Sequence, residues 1–247
     1  MTTQNNHLNS VTVRVPATAA NLGPGFDSIG IAVEMWNEVT VEHGPFEVVN
    51  EGPGAALIST DDSNLVVVGA RAVYTARGAR FPNLKFHSIN EIPLARGLGS
   101  SSAAIVSGIL AGSALQGDGC NPSEALQLAA AIEGHPDNVA SAILGGCQIG
   151  VKSGDRWITS EIPLPENLHA VVLIPDYVGE TSKARGVLDD QVSREDAVFN
   201  IGRSALLANA LATGRLELLR YATEDRLHQP ARSGIYKGLN TIIKAAL

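Results

Sequence analysis

Cysteine, aromatic residues and positive charge are all scarce in this chain. Its two cysteines, Cys120 and Cys147, are too few for a disulfide framework or a cysteine-ligated zinc site. They fit a reduced, cytoplasmic setting. Aromatic residues make up 4% of a sequence that is 45% hydrophobic, so the core has to be aliphatic and rich in alanine. Lys and Arg number 18 against 25 Asp and Glu, a net charge of −7. That balance argues against the basic face that nucleic-acid binding needs, but it leaves room for one nucleotide at a local site. The stretch Met1 to Ser10 is polar and has no apolar run, so no signal peptide is expected. The uncharged run 97–117 is nearly half Gly and Ser, too weakly apolar to favour a membrane. Repeats and low-complexity tracts are lacking too, and 247 residues allow one large domain or two modest ones.

What the chain does have is a glycine loop, Pro93-Leu94-Ala95-Arg96-Gly97-Leu98-Gly99-Ser100-Ser101-Ser102-Ala103. Two glycines let the backbone turn tightly and approach a ligand. The loop empties into an apolar helix carrying Ile105, Val106, Ile109 and Leu110. Unpaired N–H groups and the positive dipole end at that helix start favour an anion, and a phosphate suits it best. No lysine is embedded in the loop, so this is not the P-loop of an NTPase, and backbone amides and hydroxyls must do the cradling. A dinucleotide fingerprint fits poorly, because the segment before the loop is polar and alternating and Pro93 interrupts it. The same glycines would also serve a tight turn before a packed helix, and the residues alone leave both readings open.

Two further clusters carry chemistry. Asn21 to Asp27 surrounds Gly23-Pro24-Gly25 with an amide and a carboxylate. It is either a strand connection or a pocket for a small polar substrate, in which Asp27 suits an ammonium group. Glu133, His135, Asp137 and Asn138 crowd a helix end, where one carboxylate can hold Mg²⁺ and another can orient or deprotonate a hydroxyl. Thr181 to Arg185 and Arg226 to Arg232 are basic islands whose guanidinium forks match carboxylates.

Hydrophobic spacing places a first strand over Val11 to Val15, ended by Pro16, and then a loop over Ala17 to Asp27. Two strands are expected over Ile29 to Val33 and Trp36 to Glu42, a short one over Phe46 to Val49, and another over Leu84 to Ile92. Asp62 or Ser63 is expected to cap a helix from Asn64 to Arg77. Asn121-Pro122-Ser123-Glu124 reads as a capped helix start, with Glu124 reaching back and Gly134 as the stop. A short helix over Val139 to Leu144 and a strand pair over Cys147 to Glu161 follow. After Pro163 come an apolar run His169 to Ile174, expected as a buried strand, and then helices. Strands and helices interleave, so the class is α/β or α+β.

On these motifs the chain resembles the homoserine kinases of the GHMP small-molecule kinase superfamily. Pro93 to Ala103 is similar to that superfamily's ATP-binding motif, and Val15 through Asp27 and Glu133 through Asn138 are similar to two further family stretches. The likeness runs from about Val11 to Arg232. It implies an α+β fold of two-layer α/β sandwiches. An N-terminal domain over 1–162 would be like ribosomal-protein S5 domain 2, and 163–247 would be a ferredoxin-like C-terminal domain, shortened and missing strands. It implies ATP with Mg²⁺ as cofactors and L-homoserine as substrate, with a homodimer allowed and neither nucleic acid nor membrane as partner. By this resemblance Pro93 to Ala103 would bind ATP, while Asn21, Asp27, His135, Thr181, Arg185 and Arg232 would surround homoserine. Ser101 and Glu133 would hold the metal, and Asp137 with Asn138 would be catalytic. A Ser-Gly-Ala-Gly type glycine loop of the superfamily is missing, so the rival expectations are a nucleotide- and amino-acid-binding protein impaired in catalysis, or another GHMP small-molecule kinase. Gln127 and Ala131 stand where a metal-binding Glu is usual, leaving Glu133 and Glu124 as the acidic choices.

Overall fold

A computed structural model describes residues 8–117, 119–174, 181–236 and 238–246. Strand β1 (Ser10–Ala20) pairs antiparallel with β2 (Ile29–His43) along its whole length, with a bulge between Pro16 and Ala17. Pro16 therefore bends the strand and does not end it. Among the described residues β1 pairs only with β2, so the donor that proline lacks is not missed. Ala17 to Ala20 belongs to the strand, and the expected loop shrinks to the residues after it. The two strands expected over Ile29 to Glu42 are one. Its far half pairs with β4 (Leu84–Ile89) and its near half with β5 (Cys147–Ser153). β3 (Glu47–Glu51) runs parallel to β4, and helix α1 (Leu65–Ala76) joins the two. β6 (Arg156–Ile162) closes the other side of the sheet against β5.

Helices α2 (Ser100–Leu115), α3 (Pro122–Glu133) and α4 (Asp137–Leu144) accompany this sheet. Asn64, not Asp62 or Ser63, caps α1 by accepting from Val66 N–H. Asn121 caps α3 as expected, and Gly134 ends it in the left-handed region. Glu124 does not reach back, because it takes a bidentate hydrogen bond from Arg77 on α1. α2 is buried on nearly every side, as its lack of charge requires. One core cluster joins Ile92, Leu98, Ala103, Ile105 and Ile109 to Ala129 of α3 and Val139 of α4. A second joins Val39, Val41 and Phe86 of the sheet to Val66 and Val67 of α1.

α1 and α2 cross so closely that a Cβ on Gly108 would lie 2.0 Å from the Val66 carbonyl oxygen. Gly108→Ala is therefore expected to cost about 1–3 kcal/mol, since backbone has to move. Gly202 lies in helix α6 (Arg194–Thr213) with nothing within 4 Å of its added Cβ. Gly202→Ala is expected to stabilise by about 0.4–1 kcal/mol. Urea denaturation midpoints of the two variants check the opposite signs.

No strand follows Ile162 among the described residues. The run His169 to Ile174 is not a buried strand: Val171 is 87% and Leu173 62% exposed, and no strand among the described residues covers them. α5 (Thr181–Gly186), α6, α7 (Leu219–Ala222), α8 (Gln229–Ser233) and α9 (Leu239–Ala246) make up the second half. Leu207, Leu211 and Ala222 pack on Ile29, Cys147 and Ile162, so a buried cluster spans the boundary expected at Pro163. Burial pushes the Cys147 thiol up to about 11, which leaves it inert. Among the described residues no helix is long and apolar enough to cross a membrane.

Candidate active site

Several loops and helix starts open on one cleft of about 790 Å³, a size that suits a small-molecule ligand. The glycine loop forms its floor. Positive φ at Ala95 (51°), Gly97 (71°) and Gly99 (65°) alternates with ordinary backbone at Arg96 and Leu98. That alternation turns successive N–H groups toward one side, the concave nest that binds anions. Gly99 is the N-cap of α2 and lends no side chain to the first-turn N–H groups. β1 fixes the loop from below, since Thr18 N–H donates to the Leu98 carbonyl at 3.1 Å. Leu94 to Ser101 all line the cleft. Ser102 and Ala103 are turned into the core and fully buried. They and Pro93 are not lining residues, whereas the middle of the motif is.

Only three non-glycine residues among those described hold positive φ: Ala95, Asn21 (59°) and Asp27 (52°). All three belong to the two loops picked out as binding loops. Such backbone costs about 1–3 kcal/mol per residue and persists where the surroundings enforce it. Here Asn21 Oδ1 accepts the Asp27 N–H at 2.9 Å, closing the Asn21–Asp27 loop on itself. Asn21 lines the cleft, whereas Asp27 is not itself a lining residue. Its carboxylate is gripped in a fork by Arg185 of α5, Nη1 to Oδ2 at 2.9 Å and Nη2 to Oδ1 at 2.6 Å, and Arg185 does line the cleft. The bond to Asp27 raises the Arg185 pKa further.

α4 starts two residues earlier than its apolar pattern suggests, which places Asp137 and Asn138 in its first turn. Asp137 is fully buried. Its Oδ1 accepts from His135 Nδ1 at 2.5 Å and from Asn138 N–H at 2.8 Å, while Oδ2 is buried without a partner among the described residues. His135 and Asn138 line the cleft; Asp137 does not. The Asp137 bond raises the His135 pKa above that of an ordinary imidazole. Thr18 Oγ1 donates to Asn138 Oδ1 at 2.9 Å, tying β1, the glycine loop and α4 together.

Ser101 Oγ donates to Glu133 Oε1 at 2.9 Å, pairing a hydroxyl and a carboxylate beside the nest. Hard oxygen donors of this kind, with room for phosphate oxygens and water, suit Mg²⁺. Asp27, His135 and Asp137 also bring ligand atoms within 4.8 Å of one another. A cation fits badly there, because Arg185 already occupies Asp27 and His135 is bonded to Asp137. Arg232 of α8 is 9% exposed, lines the cleft and donates from Nε to the Ala184 carbonyl. Burial lowers its pKa. The Thr181 side chain lies outside the described part of the structure.

Several cleft residues escape a reading of the sequence. Ile58, Ser59, Asn64, Ser88 and Asn90 also line the cleft, and the Ser88 hydroxyl is buried without a partner among the described residues. They come from separate stretches and share no motif. His228 sits inside a basic island that draws attention to its arginines instead.

The family profile described as GHMP kinases N terminal domain matches residues 64–146. A homoserine kinase of Synechocystis sp. is 44% identical over 243 residues, covering 96% of this chain and 79% of that protein. A homoserine kinase of Moorella thermoacetica is 44% identical over 235 residues, with 95% and 79% covered. The crystal structure of a homoserine kinase from Cytophaga hutchinsonii superposes with a TM-score of 0.86 at 28% identity, covering 100% of this chain and 81% of that one.

Proposed function

The chain belongs to the homoserine kinase family, and from that premise we propose that its cleft carries the γ-phosphoryl group of ATP to the side-chain hydroxyl of L-homoserine. The products are O-phospho-L-homoserine and ADP, a step toward threonine. One observation carries this reading: the amide nest lines the same cleft as the guanidinium groups of Arg185 and Arg232.

The nest of Ala95 to Gly99 and the first turn of α2 cradle the phosphates. The nucleoside lies along the wall of Ile58, Ser88 and Asn90, where the unpartnered Ser88 hydroxyl gains a hydrogen bond. Ser101 and Glu133 would hold Mg²⁺, which would supply positive charge to offset the charge developing during phosphoryl transfer. The substrate is a zwitterion. Asp27 takes its ammonium group, and Arg185, aimed by its fork with Asp27, takes its carboxylate together with Arg232. Thr181 is retained from the family likeness as a further contact.

Asp137, expected as a base, works through His135 instead. Its buried carboxylate does not face the cleft, and it fixes both the ring of His135 and the backbone of Asn138. His135 and Asn138 orient the hydroxyl beside the phosphates. A loose phosphoryl-transfer transition state depends on placement and charge more than on proton removal.

A coupled ADP-release assay across homoserine, mevalonate and galactose tests the reading. Homoserine is expected to give the fastest turnover. Faster turnover of either alternative would reassign the substrate, and nucleotide binding without ADP release would make this a binding protein.

A further inference from the structure

We propose that His228 is a positioning residue that couples the ammonium-binding loop to the carboxylate-binding Arg232, and so sets the spacing that selects an α-amino acid. The inference rests on the reading of Asn21 to Asp27 and Arg232 as the homoserine site.

His228 is 4% exposed, yet it reaches the cleft wall. Its Nε2 bonds the Gly23 carbonyl at 2.6 Å. A carbonyl only accepts, so Nε2 carries the proton. Nδ1 then holds a lone pair, and Arg232 Nη1 stands 3.5 Å from it as a donor. One imidazole thus binds a loop near the start of the chain and a guanidinium one helical turn beyond itself. Burial lowers the ring's pKa, which favours this neutral form despite Asp225 and Asp27 nearby.

His228 is itself held at its backbone and at its ring. Asp225, fully buried in its side chain, accepts from the backbone N–H of Leu227, His228 and Gln229 and from Asn200 Nδ2 of α6. On the other side the ring stacks on Phe26, with centroids 5.3 Å apart and planes at 30°. Phe26 immediately precedes Asp27, and the guanidinium carbons of Arg185 and Arg232 lie 5.5 Å and 5.0 Å from its ring centroid. The three charges assigned to the substrate's two ends are therefore indexed to one another through Phe26 and His228. Gly23 leaves no slack, since a Cβ there would lie 2.7 Å from Thr223 Cα.

The test is steady-state kinetics of three variants, with thermal melting as a check on folding. His228→Ala removes the ring. His228→Leu keeps bulk but removes both nitrogens, and it carries the test if the alanine variant does not fold. His228→Gln keeps one donor and one acceptor. The first two are expected to raise the homoserine KM about 10- to 100-fold, the worth of a hydrogen bond to a charged group. The ATP KM should stay within about 3-fold, less than 1 kcal/mol. Glutamine should recover most of the loss. An unchanged homoserine KM in both variants, a parallel rise in ATP KM, or no recovery by glutamine would overturn the proposal. A wild-type enzyme that does not use homoserine would instead overturn the substrate assignment on which it rests.

Discussion

Asp27→Ala raises the homoserine KM by about 30- to 150-fold and leaves the affinity for ATP unchanged. The expectation follows from what the carboxylate holds. Asp27 makes two hydrogen bonds to Arg185 in a fork, the strongest geometry open to a carboxylate. Removing one member of such a pair costs about 2–5 kcal/mol when both are buried. Here the side chains are 37% and 32% exposed, so solvent screens part of the interaction and about 2–3 kcal/mol is the better figure. The loss falls on the amino-acid end. The ammonium group loses its counter-charge, and Arg185 loses the partner that aims it. The nucleotide end is fixed by separate contacts, Thr18 to Leu98 and Ser101 to Glu133, and is not disturbed. Steady-state KM for homoserine and calorimetric binding of a non-hydrolysable ATP analogue separate the two ends. An equal loss in both would contradict the role given to Asp27.

Gly99→Ala is expected to lower kcat/KM by about 10²–10³-fold. Two penalties act together. The backbone at Gly99 is left-handed, which costs a residue with a Cβ about 1–2 kcal/mol. The added Cβ would also lie 2.0 Å from Thr18 Oγ1 and 3.1 Å from Asn138 Oδ1. Either the loop lifts away from β1 or the Thr18–Asn138 hydrogen bond breaks, and each outcome displaces groups beside the phosphates. Misplacement of about 1 Å can cost 10²-fold in rate. Gly78 isolates the first penalty, since its φ is +64° and nothing lies within 4 Å of an added Cβ. Gly78→Ala should lower the melting temperature slightly and leave kcat/KM alone. Thr18→Ala in the Gly99→Ala background removes the colliding oxygen and should recover part of the rate, a coupling that a double-mutant cycle measures. Additive losses would place the defect in backbone strain alone.

Much of this site is legible in the sequence because its parts are local. A nest needs left-handed residues at alternate positions, and Gly97 and Gly99 announce two of them. The cap of α3 is written in Asn121-Pro122, and its stop in Gly134. Local signals fail where a neighbour decides. Pro16 looks like a strand end but lies where β1 pairs on one side only. Glu124 looks like half of a capping box but finds Arg77, 47 residues away. His169 to Ile174 looks like a buried strand, yet burial needs a partner layer that alternation and hydropathy do not specify.

The amino-acid sequence by itself determined the chemical inventory: a lysine-free phosphate loop, a carboxylate-rich helix end, an Asn–Asp loop and basic islands in an acidic chain. Only the tertiary structure decided how these are paired. Arg185 meets Asp27 across 158 residues and His228 meets Gly23 across 205. It also decided that Asp137 is buried behind His135, not exposed to a substrate. The reason is physical. Turn and cap chemistry depends on a few adjacent dihedral angles, whereas a charge pair or a buried carboxylate depends on which distant surfaces exclude water together.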